Sequence, residues 1–121
     1  YLENGKILLH GDFYPGSWLK VGEGLKVIDP EFAFLGDAEF DLAVMLGHLM
    51  LAGQSKEIIQ FAKSQYQKHR KLDECLLSQY MGVEILRRLI GLAQLPLSLS
   101  LEEKKSLAQR AEQLILECTG F

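Results

Sequence analysis

Six carboxylates, Asp12, Asp29, Glu31, Asp37, Glu39 and Asp41, fall within thirty positions of a chain whose other acidic residues lie mostly in segments of helical spacing. Carboxylate oxygens hold hard divalent cations, and they accept the proton of an attacking hydroxyl. Asp12 follows a short apolar run, Lys6 to His10, and Asp29 ends the second of two β-favouring runs. If the strands that carry them are neighbours, the two side chains meet at one edge and can share a cation. Aspartate is also common in turns for local reasons, because its side chain bonds nearby backbone N–H groups. His10-Gly11-Asp12 alone does not choose between these readings.

The elements that must position these residues are short. Lys6 to His10 reads as a buried strand. Trp18-Leu19-Lys20-Val21 and Leu25-Lys26-Val27-Ile28-Asp29 flank Gly22-Glu23-Gly24, a three-residue hairpin loop. Gly11 to Ser17 contains Pro15 and Gly16 and is a loop. From about Glu39 the spacing turns helical. Glu39 to Gly53 is apolar on nearly every side except Asp41 and His48, as in a helix buried between other elements. Ser55 caps a second helix with a stripe of Ile58, Ile59, Phe61, Ala62 and Tyr66 that stops near Lys71. A third runs from Asp73 to Ala93, with Leu76, Leu77, Tyr80, Met81, Ile85, Leu86, Leu89 and Ile90 in register, and ends before Pro96. Ser100 and Glu103 form a capping-box pattern for a fourth, which turns Leu107, Ala111, Leu114 and Ile115 inward and stops at Gly120. The fold class is α+β and mainly helical: one domain over residues 1–121, with a β and loop platform at 1–37 and a helical part at 38–121.

Composition narrows the partners. The 121 residues are 48% hydrophobic and 24% charged, the proportions of an ordinary globular domain. Thirteen Lys and Arg against sixteen Asp and Glu leave a net charge of −3 without a long block of one sign, so neither nucleic acid nor a polybasic membrane surface is implied. Leu42 to Ala52 is too short to span a bilayer. Cys75 and Cys118 lie far apart without C-x-x-C spacing and read as reduced thiols. Tyr1 to Lys6 carries no signal pattern, and the expected location is cytoplasmic.

His10-Gly11-Asp12 with Ser17 five residues on, a hairpin, Ile28-Asp29-Pro30-Glu31, Gly36-Asp37 and Phe40-Asp41-Leu42-Ala43 follow one another in close order. Together they resemble the C-terminal lobe of the aminoglycoside phosphotransferase superfamily, small-molecule kinases that share the protein-kinase fold. The resemblance covers Ile7 to Ala43. It implies a platform followed by about four helices, ATP and Mg2+ as cofactors, and transfer of phosphate to a hydroxyl of a small molecule such as a sugar, thiosugar or aminoglycoside. It implies that Asp12 is the catalytic aspartate that accepts or orients the substrate hydroxyl's proton, and that Asp29 binds the metal that bridges the ATP phosphates. Ser17 stands where most members carry Asn as a second metal ligand. Glu31 touches metal or substrate, or holds the loop through backbone amides. Asp41 and His10 support the catalytic loop. The branch of methylthioribose kinases has a similar loop, with Gly-Ser at this point and a D-P-E-F-A-F run like Asp29 to Phe34.

Other features read as structural. Gly22 to Val27 mimics a nucleotide loop, but no helix follows it. Lys68-His69-Arg70-Lys71 suits the negative end of a helix. Arg87-Arg88 and Lys104-Lys105 read as solvated faces, with one arginine available to an anionic substrate, and Trp18 as core packing. A complete kinase of this type also needs an N-terminal lobe with a phosphate loop, a strand lysine and a partner glutamate. Tyr1 stands eleven residues before Asp12, so the chain reads as a fragment or truncated relative whose partner is the missing lobe. Exposed apolar surface is expected there, with self-association and negligible kinase activity of the isolated chain. The alternative is a non-catalytic binding or regulatory module, which Ser17 favours and the retention of Asp12 and Asp29 opposes. A metal-dependent phosphohydrolase is weaker, because no histidine pair accompanies the acids.

Overall fold

β-Favouring residues on either side of a glycine-bearing turn make the first regular unit. In the computed structural model, which describes residues 5–118, β2 (Trp18–Val21) and β3 (Gly24–Val27) form an antiparallel hairpin with Val21 opposite Gly24. That register leaves Gly22 and Glu23 as a two-residue turn, one residue tighter than the spacing predicts. Gly22 sits first in the turn at φ +53, where a side chain would be strained.

β1 (Ile7–Leu9) does not join this hairpin. It pairs antiparallel with β4 (Phe34–Gly36), a three-residue strand the sequence reading lacks, with Leu8 opposite Leu35. The adjacency of the Asp12 and Asp29 strands is therefore corrected: they belong to two separate two-stranded sheets. Nor is β1 wholly buried, since Leu9 faces the core while Leu8 is 74% exposed. Between β3 and β4 the chain turns at Asp29, at φ 61 and ψ 56, into a 3-10 turn over Pro30–Phe32. Pro30 disfavours the right-handed helical region for the residue before it, and aspartate tolerates the left-handed one.

Four helices follow: α1 (Glu39–Leu51), α2 (Lys56–Gln67), α3 (Glu74–Leu89) and α4 (Leu101–Glu117). The caps of α2 and α4 are the ones the sequence marks, while Asp73, read as the first residue of the third helix, is its cap. Ser55 accepts from Ile58 N, Asp73 accepts from the Cys75 and Leu76 N–H groups, and Ser100 with Glu103 completes a reciprocal capping box. Gly120 lies outside the described residues. α3 packs against both α1 and α4, and α2 packs against α1. The core accordingly forms around α3, from Leu42, Ala43 and Leu46 of α1, Leu77, Met81 and Ile85 of α3, and Ala111 and Leu114 of α4.

Three side chains expected in the apolar stripes face outward instead: Ile58 and Phe61 on α2 and Ile90 after α3. Only Ile59 of α2 is buried, so that helix rests on α1 by a narrow seam. The reduced-thiol reading is also corrected. α3 and α4 fold back on one another, and the structure joins Cys75 to Cys118 in a disulfide with Cα atoms 4.6 Å apart. Sequence separation of 43 residues hid a spatial neighbour. Among the described residues, no helix is long and apolar enough to cross a membrane.

Candidate active site

The loop after β1 is held from below by one carboxylate. Asp41, in the first turn of α1, accepts the His10 N–H at 2.7 Å on Oδ2 and the Gly11 N–H at 3.0 Å on Oδ1. Both oxygens of a partly buried acid are thereby used, which offsets its desolvation. Gly11 adopts φ +84, and a Cβ there would run into the carbonyl of Phe32. Only glycine lets the chain turn this closely over the Pro30–Phe32 segment.

The His10 ring joins the two halves of the site. Its Nε2–H donates to the Ile28 carbonyl at 2.8 Å, and its Nδ1 accepts the Asp12 N–H at 3.3 Å. A carbonyl can only accept and an amide N–H can only donate, so the neutral Nε2–H tautomer satisfies both. Asp12 and the residue preceding Asp29 thus meet on one imidazole, which draws the two turns together without any strand pairing between them. Ser17 makes a second tie. Its hydroxyl, buried at 3% exposure, donates to the Asp12 carbonyl at 2.8 Å, and its own carbonyl accepts the Ile28 N–H at 2.9 Å.

The acidic cluster separates into two groups. Asp37 accepts the Tyr80 hydroxyl at 2.8 Å, Glu39 is buried and accepts the Asp73 N–H at 2.8 Å, and Asp41 braces the loop. These three hold structure. Asp29 and Glu31 are exposed, and neither side chain accepts a hydrogen bond from the described residues. Mg2+ is bound through one or two carboxylates together with substrate phosphates, a demand that the exposed Asp29 oxygens fit, with Glu31 two residues away. Among the described residues no group of three or more His, Cys, Asp or Glu side chains is gathered as a complete metal cage.

Asp12 faces an arginine that the sequence reading treats as a solvated surface residue. Arg88 of α3 donates from Nη2 to Asp12 Oδ1 at 3.0 Å, while Asp12 Oδ2 takes no hydrogen bond among the described residues. Arg88 is buried, with its Nε on Glu84 Oε1 at 2.7 Å and its guanidinium 5.4 Å from the centre of the Tyr14 ring. Gly11, Asp12, Phe32, Phe40, Arg87 and Arg88 line a cleft of about 400 Å³. One acid, two guanidinium groups and two aromatic rings share a volume sufficient for a small polar molecule.

The signal for Glu84 and Arg88 was present in the spacing. With Leu77 and Met81 they occupy i, i+4, i+7 and i+11, the buried face of α3, and charges on such a face need partners.

The phosphotransferase enzyme family model (APH) matches residues 3–75, which includes the whole loop, Asp29 and Asp41 but stops short of Glu84 and Arg88. Methylthioribose kinase 1 of Oryza sativa subsp. japonica is 42% identical over 57 residues, 47% of this chain and 13% of that protein. Methylthioribose kinase of Exiguobacterium sibiricum is 46% identical over 52 residues, 43% of this chain and 13% of that protein. The Escherichia coli O45:K1 methylthioribose kinase is 42% identical over 52 residues, 43% of this chain and 12% of the relative. The aligned stretch is a small part of each of these kinases.

Proposed function

We propose, since the chain belongs to the phosphotransferase enzyme family (APH), that it is the catalytic-loop lobe of a kinase that moves phosphate from ATP to a hydroxyl of a small molecule, with a thiosugar as the substrate class. The carrying observation is the Asp12 carboxylate on the 400 Å³ cleft, with Oδ1 on Arg88 and Oδ2 open to an acceptor. Asp12 is assigned the hydroxyl's proton, because phosphoryl transfer depends on positioning and on an acceptor within hydrogen-bond reach. Nη1 of Arg88, which has no hydrogen-bond partner among the described residues, and the neighbouring Arg87 supply positive charge for oxygens of the acceptor or the transferred group.

Asp29 is the residue that would hold Mg2+, with Glu31 as a second oxygen donor. The Ser17 hydroxyl hydrogen is committed to Asp12, so its contribution as a ligand would come from a lone pair. Bound Mg2+ supplies charge neutralisation and alignment of the ATP phosphates. His10 and Asp41 keep the loop in register with the Asp29 turn. The remainder of the parent, including its N-terminal lobe, completes the nucleotide site in this reading, and residues 1–121 form one domain.

The test uses the full-length parent with ATP, Mg2+ and methylthioribose, and measures acceptor-dependent ADP release. Asp12→Asn is expected to lower kcat by about a hundredfold or more. Asp29→Asn is expected to weaken Mg-ATP binding. Turnover indifferent to both substitutions overturns the assignment, and phosphate release without any acceptor replaces it with hydrolysis. Mg-ATP binding without turnover on any acceptor identifies the non-catalytic module.

A further inference from the structure

The buried charge behind Asp12 has its own organisation. Glu84 is 4% exposed, and burial alone would keep its carboxyl protonated to higher pH. Hydrogen bonds from His48, Arg87 and Arg88 outweigh that effect and lower its pKa to about 2. Oε1 receives His48 Nε2 at 3.1 Å, Arg88 Nε at 2.7 Å and Arg87 Nη2 at 3.2 Å, while Oε2 receives Arg87 Nε at 2.7 Å. His48, from α1, is buried and lies against the Tyr14 ring with centroids 4.5 Å apart. Tyr14 follows Asp12 in the loop and also lies beneath Arg88. The cluster therefore joins α1, α3 and the catalytic loop.

The side edge of a guanidinium presents Nε and one Nη in parallel, which matches both oxygens of a single carboxylate. In Arg88 that edge is divided: Nε serves Glu84 and Nη2 serves Asp12. We propose that Glu84 is a positioning residue for Asp12: by holding Arg88 at its Nε it keeps this side edge from closing on both Asp12 oxygens, and so leaves Oδ2 available to the acceptor hydroxyl. His48 supports Glu84 through the same oxygen, Oε1, that receives Arg88 Nε. This role rests on the kinase reading for its catalytic consequence, but its geometric content does not.

Two measurements on the full-length parent decide it. Glu84→Gln removes the charge while keeping the size of the side chain. Acceptor-dependent kcat should fall roughly tenfold or more, with KM for the acceptor and Mg-ATP changed less than about twofold. In an Arg88→Met background the same substitution should change kcat less than about twofold, because the residue it acts through is gone. An equal loss in both backgrounds overturns the proposal. A crystal structure of the Glu84→Gln protein should show Arg88 with two nitrogens on Asp12, and an unchanged single contact overturns the proposal whether or not the parent is a kinase. If Glu84→Gln does not fold, His48→Asn is read in the same assays. It should lower kcat a fewfold and draw Arg88 toward Asp12, and no change in either refutes the role. Absence of acceptor-dependent turnover in the wild-type parent refutes the kinase reading alone and leaves the crystallographic result to judge Glu84.

Discussion

Arg88 donates from Nη2 to Oδ1 of Asp12 at 3.0 Å across 76 residues of chain, and this contact connects the helical part to the loop after β1. Its Nε is meanwhile bound to Glu84, so one side chain sits between two acids of different surroundings. Side-chain exposure is 25% for Asp12 and 5% for Glu84. The stability cost of losing Arg88 therefore falls mainly on Glu84.

Replacing Arg88 by methionine should destabilise the chain by roughly 2 kcal/mol. Removing one partner of a buried pair typically costs about 3–5 kcal/mol, and Arg87 and His48 remain to offset part of it. Arg88→Lys keeps the charge but not the planar fork, and its loss should be smaller. Equilibrium urea unfolding measures both. An unchanged midpoint for the methionine variant would show that the Glu84 contact adds no stability.

Asp41→Ala should be more damaging to the loop than Asp41→Asn. Alanine leaves the His10 and Gly11 N–H groups without their acceptor, at about 1–3 kcal/mol for each buried donor left unpaired. Asparagine retains one accepting oxygen. Amide hydrogen exchange at Gly11 should rise in the order wild type, Asn, Ala, and equal protection in all three would remove Asp41 from the loop's support.

Local patterns were legible in the sequence, and contacts between distant elements were less so. Ser55 and the Ser100/Glu103 box act on N–H groups within three residues, so their spacing alone identifies them. Asp41 and His10, read as supports of the loop, make backbone hydrogen bonds at it, Asp41 to the His10 and Gly11 N–H groups and the His10 ring to the Ile28 carbonyl. β4 escaped because three residues are too few to show alternation, and with it went the pairing partner of β1. Glu84-x-x-Arg87-Arg88 resembles a surface ion-pair pattern, and only the continuation of the Leu77 and Met81 face through positions 84 and 88 reveals its burial. Cys75 and Cys118 needed the return of α4 along α3, which no local spacing encodes.

Glu84 should also set an acid limit to stability. Its folded pKa of about 2 lies below the ordinary value of 4.5, so the unfolded chain binds the proton more tightly. The contribution is fully present above about pH 5 and is lost as pH falls toward 2, on the order of 3 kcal/mol in all. Urea midpoints measured between pH 5 and 2 should fall more steeply for wild type than for Glu84→Gln. Parallel curves would place the acid sensitivity elsewhere.

The platform carries an uncovered apolar face. Leu8 and Leu35 are direct cross-strand partners in the β1–β4 ribbon, 74% and 57% exposed, and Phe32 nearby in sequence is 62% exposed. Two-stranded ribbons also leave open backbone edges, which favour pairing with another chain. The 121-residue chain by itself should therefore associate through this face, and the weight-average mass in sedimentation equilibrium should rise with concentration. Leu8→Lys combined with Leu35→Glu places opposite charges across the ribbon, which suits the pair while it opposes apolar stacking. The double variant should sediment closer to a monomer with α-helical content unchanged. A wild-type chain that remains monomeric over the whole concentration range would show that this face is tolerated in water and would remove it as an interaction surface.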